Sequence, residues 1–279
     1  MKRKMMNMFS SWQQRLSGLA RSAMVPFAIL TMWTMNGVGL AQQSAQPMFK
    51  SAVEASQNLF QAVQANNEAA IAKILGASTD LTSSSDPGQD KLDRELFVQK
   101  YQQMHRLGQE ADGSMTLYIG AENWPFPIPL VQKNGAWRFD SDAGQKEVLL
   151  RRIGENELIA IDICHQLVAA EKQFRANPNA AKQADTTLAG LVAAAAAGSS
   201  TGQPVLIQGY YFRVAAKHPQ TAFAFIAYPA EYRSSGVMTF IITDNDVVSE
   251  KDLGANSSAR ASTLDAYSKQ SGWAASDDR

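Results

Sequence analysis

Residues 124–131 read WPFPIPLV, with three prolines at alternating positions in an otherwise apolar run. Proline cannot donate to a sheet ladder, so this stretch is barred from the middle of a sheet. In extended backbone Pro125, Pro127 and Pro129 share one orientation, and their missing N–H groups fall along one edge. The N–H groups of Phe126, Ile128 and Leu130 point to the other edge and stay available for pairing. The pattern predicts an edge strand with one side closed to further strands. Directly after it, Asn134-Gly135 separates the runs LVQK and AWRFD. Asn-Gly accepts the positive φ values of a tight turn, so a hairpin is predicted here, and it supplies the neighbour for the open side.

Helical spacing precedes this sheet. From Phe49, the residues Val53, Leu59, Phe60 and Val63 recur at helical intervals, and Ile71, Ile74 and Leu75 carry the pattern to Gly76. After a turn-rich loop, Asp86-Pro87 reads as a cap followed by a first-turn proline. It opens a helix through Leu96, Phe97, Tyr101 and Met104 that Gly108 ends. MTLYIG (115–120) alternates as a strand, and Asp142 caps a short helix, AGQKEVLLRRI, that Gly154 stops. Helices with a small antiparallel sheet make an α+β domain, assigned to 42–152.

A second unit, 153–279, opens with NELIAIDICHQLVAAEKQFRAN, which places Ala160, Ile163, Cys164, Leu167 and Phe174 on one helical face. The stretch 177–202, rich in small residues, reads as a helix or a poorly packed connection. Three strand-like runs follow: VLIQGYYFRVA, TAFAFIAYP and GVMTFIITD. Asp244-Asn245-Asp246 turns the chain into VVSEKD, and the polar tail after Gly254 is expected to be loose. One long helix on an antiparallel sheet resembles the globular part of a type IV pilin, a likeness of layout. The first unit similarly resembles the nuclear-transport-factor-like cone, whose hollow often takes small molecules.

Charge separates one segment from the rest. Lys2, Arg3, Lys4, Arg15 and Arg21 are the basic residues of the first 41 positions, which contain no acid, while the remainder carries a net charge of −5. With the apolar run Ala23–Met35 and the small residues Gly39-Leu40-Ala41, positions 1–41 read as a signal peptide. The apolar run is broken by Pro26 and is shorter than the roughly 20 residues that span a bilayer, which sets cleavage above retention as an anchor. The chain is therefore expected to be periplasmic or secreted, with no stable membrane anchor once the signal is cleaved. The mildly acidic remainder argues against nucleic acid as a partner. The single cysteine, Cys164, excludes an internal disulfide.

Few residues combine into chemistry. Gly198-Ser199-Ser200-Thr201-Gly202 matches G-x-S-x-G but lacks the strand before and helix after that a nucleophile elbow requires, so it reads as a linker. His105, His165 and His218 are scattered; His105 and His165 are expected on helices, and no zinc site is indicated. Asp244-Asn245-Asp246 lacks the later glycine and glutamate of a calcium loop. Cys164, on an apolar helix face, reads as core. No metal and no cofactor are implied, and no catalytic residue is assigned. The binding candidates are Trp124, Trp137, Arg138 and Asp140, which share one strand–hairpin region able to line a pocket. Arg151 and Arg152 join them as an anion or domain clamp.

The blocks ENWPFPIPLV, NGAWRFDSDAG, LLRRIGENELIAI, GYYFRV, AYPAEY, SGVMTF and KDLG together resemble a bacterial exported-protein family known as domain of unknown function 2950. The resemblance spans about 121–254, with shorter spacers between Phe174 and Gly209 and between Arg213 and Phe223. It implies export and no activity. The expectation is a non-catalytic binding or assembly module of the cell envelope, with an envelope protein as its partner. The alternative is a small-molecule-binding protein or cofactor-free enzyme using a pocket in the first domain.

Overall fold

The structure, a computed structural model, describes residues 46–76, 87–176, 186–196, 203–215, 222–265 and 272–276. The 1–41 segment, Ser200 with its glycines and His218 lie outside the described residues. The chain divides into two compact units, Met1–Val148 and Leu149–Arg279.

In the first unit the helical run expected from Phe49 to Gly76 is two helices, α1 (Ala52–Gln64) and α2 (Glu68–Leu75). The break comes from Asn66, which sits at φ +51°, and from Asn67, whose side chain accepts the Ala70 N–H at 3.0 Å and starts a new helix. Val53, assigned to the apolar stripe, is exposed, while Ala52, Ala55, Leu59, Ala62 and Val63 form the buried face. Gly76, left-handed at φ +62°, closes α2 as expected.

Helix α3 (Pro87–Gln103) stops earlier than predicted. Gly108 belongs to β1 (His105–Gln109), and His105 therefore lies on a strand rather than a helix. Strand β1 pairs with β2 (Met115–Ile119), Leu107 facing Leu117. The Asn-Gly hairpin forms as expected, with Asn134 at φ +54°, Gly135 at φ +80° and Lys133 paired to Ala136 between β4 (Leu130–Lys133) and β5 (Ala136–Phe139).

WPFPIPLV is not one continuous strand. Its start, β3 (Trp124–Pro125), pairs against Ile119 and Tyr118 of β2, and the Phe126 N–H donates to the Leu117 carbonyl at 2.7 Å. The chain then bends through Pro127–Pro129 and re-enters the sheet at Leu130, opposite Met115 of the same β2. Phe126 drives the bend inward. Its ring meets Phe97 at 5.8 Å, Phe139 at 6.1 Å and Trp124 at 6.5 Å, all edge to face, at the centre of this unit's core.

Two expected helices are one, α4 (Ser141–Ala176). Asp140, not Asp142, starts it: its Oδ1 accepts the Ala143 N–H at 3.3 Å and its carbonyl the Gly144 N–H at 2.9 Å. A Cβ on Gly144 would come within 2.6 Å of Ile128 Cγ1, so the first turn rests directly on the proline bend. Gly154 does not stop the helix, because one glycine costs about 1 kcal/mol against packing along the remaining turns.

The second unit is a six-stranded antiparallel sheet in which each strand from 205 to 252 pairs with the next and 274–275 adds the last edge. Gln208 (φ +46°) and Gly209 (φ +76°) fold VLIQGYYFRVA, read as a single run, into a hairpin of β6 (Val205–Ile207) and β7 (Tyr210–Val214). Strands β8 (Ala224–Pro229) and β9 (Met238–Thr243) follow, then β10 (Val248–Asp252). One sheet face, with Tyr210, Phe212, Phe225, Phe240 and Ile242, packs on Ala160, Ile163, Cys164 and Leu167 of α4 and on Leu191, Val192 and Ala195 of α5 (Thr186–Ala196).

The tail expected to be loose covers the other face. Helix α6 (Ser257–Ser262) and Trp273 close a second cluster with Ile226, Tyr228, Ile241 and Leu253, and β11 (Ala274–Ala275) pairs with Ser249 and Glu250 of β10. Arg213 anchors the tail. Its Nε donates to the Ala261 carbonyl at 3.0 Å, and its Nη2 donates to the Ala261 and Leu264 carbonyls. Burial lowers the pKa of this guanidinium, and four carbonyl contacts hold it as the charged form nonetheless.

Candidate functional site

An open groove of about 350 Å³ lies in the first unit, lined by Val63, Gln64, Asn66, Lys91, Arg94, Glu95 and Val98. The break between α1 and α2 builds it. Left-handed Asn66 carries its side chain to Arg94, where Asn66 Oδ1 accepts the Arg94 Nε–H. Glu68, at the start of α2, contacts Arg94 Nη2 at 3.0 Å, with the arginine 7% exposed and the glutamate 60% exposed. Arg94 Nη1 is buried and has no hydrogen-bond partner. Lys91 and Glu95, one turn apart and both exposed, stand 3.8 Å from each other at the rim. The site thus combines apolar walls, Val63 and Val98, with a guanidinium held rigidly on two of its three nitrogens.

The six residues singled out from sequence do not line this groove. Trp124 is half-buried against the core, edge to face with Phe126. Trp137 also packs on the core, and its backbone exchanges two 2.8 Å hydrogen bonds with Phe49. Arg138 Nη1 donates at 3.3 Å to Gln46 Oε1 and to the Phe139 carbonyl, and Asp140 caps α4. Arg151 and Arg152 fall in the second unit. Arg152 is buried, and burial lowers its pKa while Glu231 opposes the shift.

Around Arg152 the second unit assembles a dense polar junction. Glu157 Oε1 accepts the N–H groups of Val237 at 2.8 Å and Met238 at 3.0 Å and the Tyr210 hydroxyl at 3.4 Å. Asn156 Nδ2 donates to the Ser235 carbonyl at 2.8 Å. A Cβ on Gly236 would overlap the Tyr210 hydroxyl, so the β8–β9 loop closes on that ring only because this residue is glycine. These hydrogen bonds tie Asn156 and Glu157 of α4 to the β8–β9 loop and the start of β9, which makes the junction a structural lock.

Reactive side chains are sealed or scattered. Cys164 is fully buried and its thiol is pushed up to about 12, which keeps it protonated. Tyr210 is buried and raised as well, by desolvation first and then by Glu157. His165 Nδ1 lies 2.8 Å from Asp246 Oδ1, and His105 Nδ1 lies 2.9 Å from the Tyr101 carbonyl. Among the described residues no group of three or more His, Cys, Asp and Glu could hold a metal ion, and no helix is long and apolar enough to cross a membrane.

The family model described as Protein of unknown function (DUF2950) matches residues 46–186 and 207–275. The chain belongs to this family. The match includes both the groove of the first unit and the polar junction of the second. It is interrupted over 187–206, between Phe174 and Gly209. No curated protein and no solved structure matches the chain, so the pilin-like likeness of the second unit is not confirmed.

Sequence reasoning missed Asn66, Lys91, Arg94 and Glu95. One signal was present: Arg94, Phe97 and Tyr101 stand at i, i+3 and i+7 of α3, which puts a charge on the helix's apolar face.

Proposed function

We propose that this DUF2950 chain is an exported, non-catalytic binding module of the cell envelope, periplasmic or secreted, and that it binds a small ligand in the α1–α2–α3 groove. The observation that carries the reading is the groove itself. Its volume of about 350 Å³ falls at the lower end of small-molecule sites, and its mixed apolar and charged walls are typical of them. The sealed state of Cys164 and Tyr210 supports binding over covalent chemistry. The basic, then apolar, 1–41 segment supports export.

Native mass spectrometry tests the binding. The chain, expressed with its 1–41 segment and recovered from the cell envelope, is equilibrated with a small-molecule extract beside a V98W variant that fills the groove. The expected result is an adduct on the unmodified chain that V98W loses. No adduct, or the same adduct on both proteins, refutes the reading. Recovery of the chain from the cytoplasm alone refutes the export half of it.

A further inference from the structure

We infer that the groove takes a small organic monocarboxylate with a short apolar tail, held by the end-on fork of Arg94 after Glu68 swings aside. The inference rests on the binding reading above and names the ligand class for the same site. Arginine cannot shed its proton, so a buried guanidinium with an unfilled N–H carries a standing desolvation cost. Arg94 is in that condition: Nε is engaged by Asn66, Nη2 by Glu68, and Nη1 by nothing.

Glu68 contacts the fork through one oxygen and one nitrogen, whereas a carboxylate aligned with Nη1 and Nη2 makes two parallel charge-assisted bonds. The glutamate side chain is 60% exposed, so it can rotate into water, and a ligand carboxylate taking its place keeps the buried guanidinium paired. Asn66 keeps the guanidinium plane in place throughout, which preorganises the fork.

The fork limits the ligand to a single negative group. Lys91 is paired with Glu95 at 3.8 Å, and Asp90 and Asp93 are buried on the same helix, which leaves Arg94 as the one cationic anchor among the described residues of the groove. One guanidinium fits one carboxylate and offers little to a polyphosphate. Val63 and Val98 give the alkyl tail its contacts.

The test is a titration of the full chain with sodium hexanoate, followed by amide NMR shifts at residues 63–68 and 91–98. Hexanol, hexylammonium chloride and sodium chloride serve as controls. Hexanoate is expected to saturate the shifts, R94K to weaken it by about tenfold through loss of the bidentate bond, and E68Q to tighten it several-fold by removing the competitor. Circular dichroism checks the fold of each variant, and if R94K does not fold, E68Q decides alone. Unchanged affinity in R94K, weaker binding in E68Q, or equal shifts with hexanol or sodium chloride overturns the carboxylate inference. Hexanol or hexylammonium binding in place of hexanoate leaves the groove a binding site with the wrong ligand class assigned. No shifts with any of them overturns the carboxylate, and the V98W comparison then decides whether the groove binds at all.

Discussion

Replacing Glu157 separates the charge of the polar junction from its hydrogen bonding. One oxygen, Oε1, receives two backbone N–H groups at 2.8 and 3.0 Å and a hydroxyl at 3.4 Å. In E157Q an acceptor oxygen remains, but two charge-assisted bonds become neutral ones. Hydrogen bonds to charged groups contribute roughly 1.5–3 kcal/mol and neutral ones about 1. The junction is half-buried, so the low end applies and E157Q is expected to cost about 1–2 kcal/mol. In E157A the Val237 and Met238 amides lose their acceptor altogether, while the Tyr210 hydroxyl keeps the Met238 carbonyl at 3.0 Å. Two unpaired amides at about 1–2 kcal/mol each set the expected loss near 3 kcal/mol. Hydrogen exchange in moderate urea, read by mass spectrometry on a peptide covering 230–240, isolates the second unit. Exchange should accelerate about tenfold in E157Q and by about two orders of magnitude in E157A. An E157A protein that exchanges like the unsubstituted chain, or an E157Q protein less protected than E157A, would refute the reasoning.

Two further outcomes follow from the second unit. Cys164, fully buried with its thiol pushed up to about 12, should resist an aromatic disulfide reagent at pH 8 in the folded chain and react once denatured; fast labelling without denaturant would show that the α4–sheet interface opens. Glu171 is fully buried, its carboxyl raised above 4.5 by desolvation while Arg175, 2.7 Å away, partly offsets the shift. Between pH 4.5 and the raised folded value, the folded state is therefore the more protonated of the two. This contribution to stability is complete below pH 4.5 and declines as pH rises through the folded value. Urea midpoints of the second unit measured from pH 4 to 7.5 should fall less steeply with pH in E171Q, and an identical slope in the two proteins would contradict it.

Local physics made much of the fold readable. Asn134-Gly135 demanded a two-residue hairpin because few other pairs accept two positive φ values, and the register Lys133↔Ala136 follows from it. The apolar run TAFAFIAYP indicated a strand, and β8 forms within it, buried along its whole length. What sequence reading could not supply was the outcome of competitions that packing settles. Gly154 carries a helix-breaking preference worth about 1 kcal/mol, which the rest of α4 outweighs. The tail after Gly254 is polar by composition, yet Ala261 and Trp273 are drawn onto the sheet, with Arg213 tying down the carbonyls of Ala261 and Leu264.

The same division runs through WPFPIPLV and the groove. Alternation alone determined that Pro125, Pro127 and Pro129 could not lie within a sheet. That the stretch pairs for two residues, bends around Phe126 and returns to β2 was decided by three aromatic rings from α3, β3 and β5. Sequence placed the aromatic and charged residues of that region near one another, but their side chains are taken up by core packing and capping. The groove depends instead on Asn66 turning left-handed between two helices, and on Arg94 being buried one turn before Phe97. The first is invisible in spacing and the second shows there only as a charge on an apolar face, because a buried arginine is tolerated only where neighbours from other elements, here Asn66 and Glu68, come to meet it.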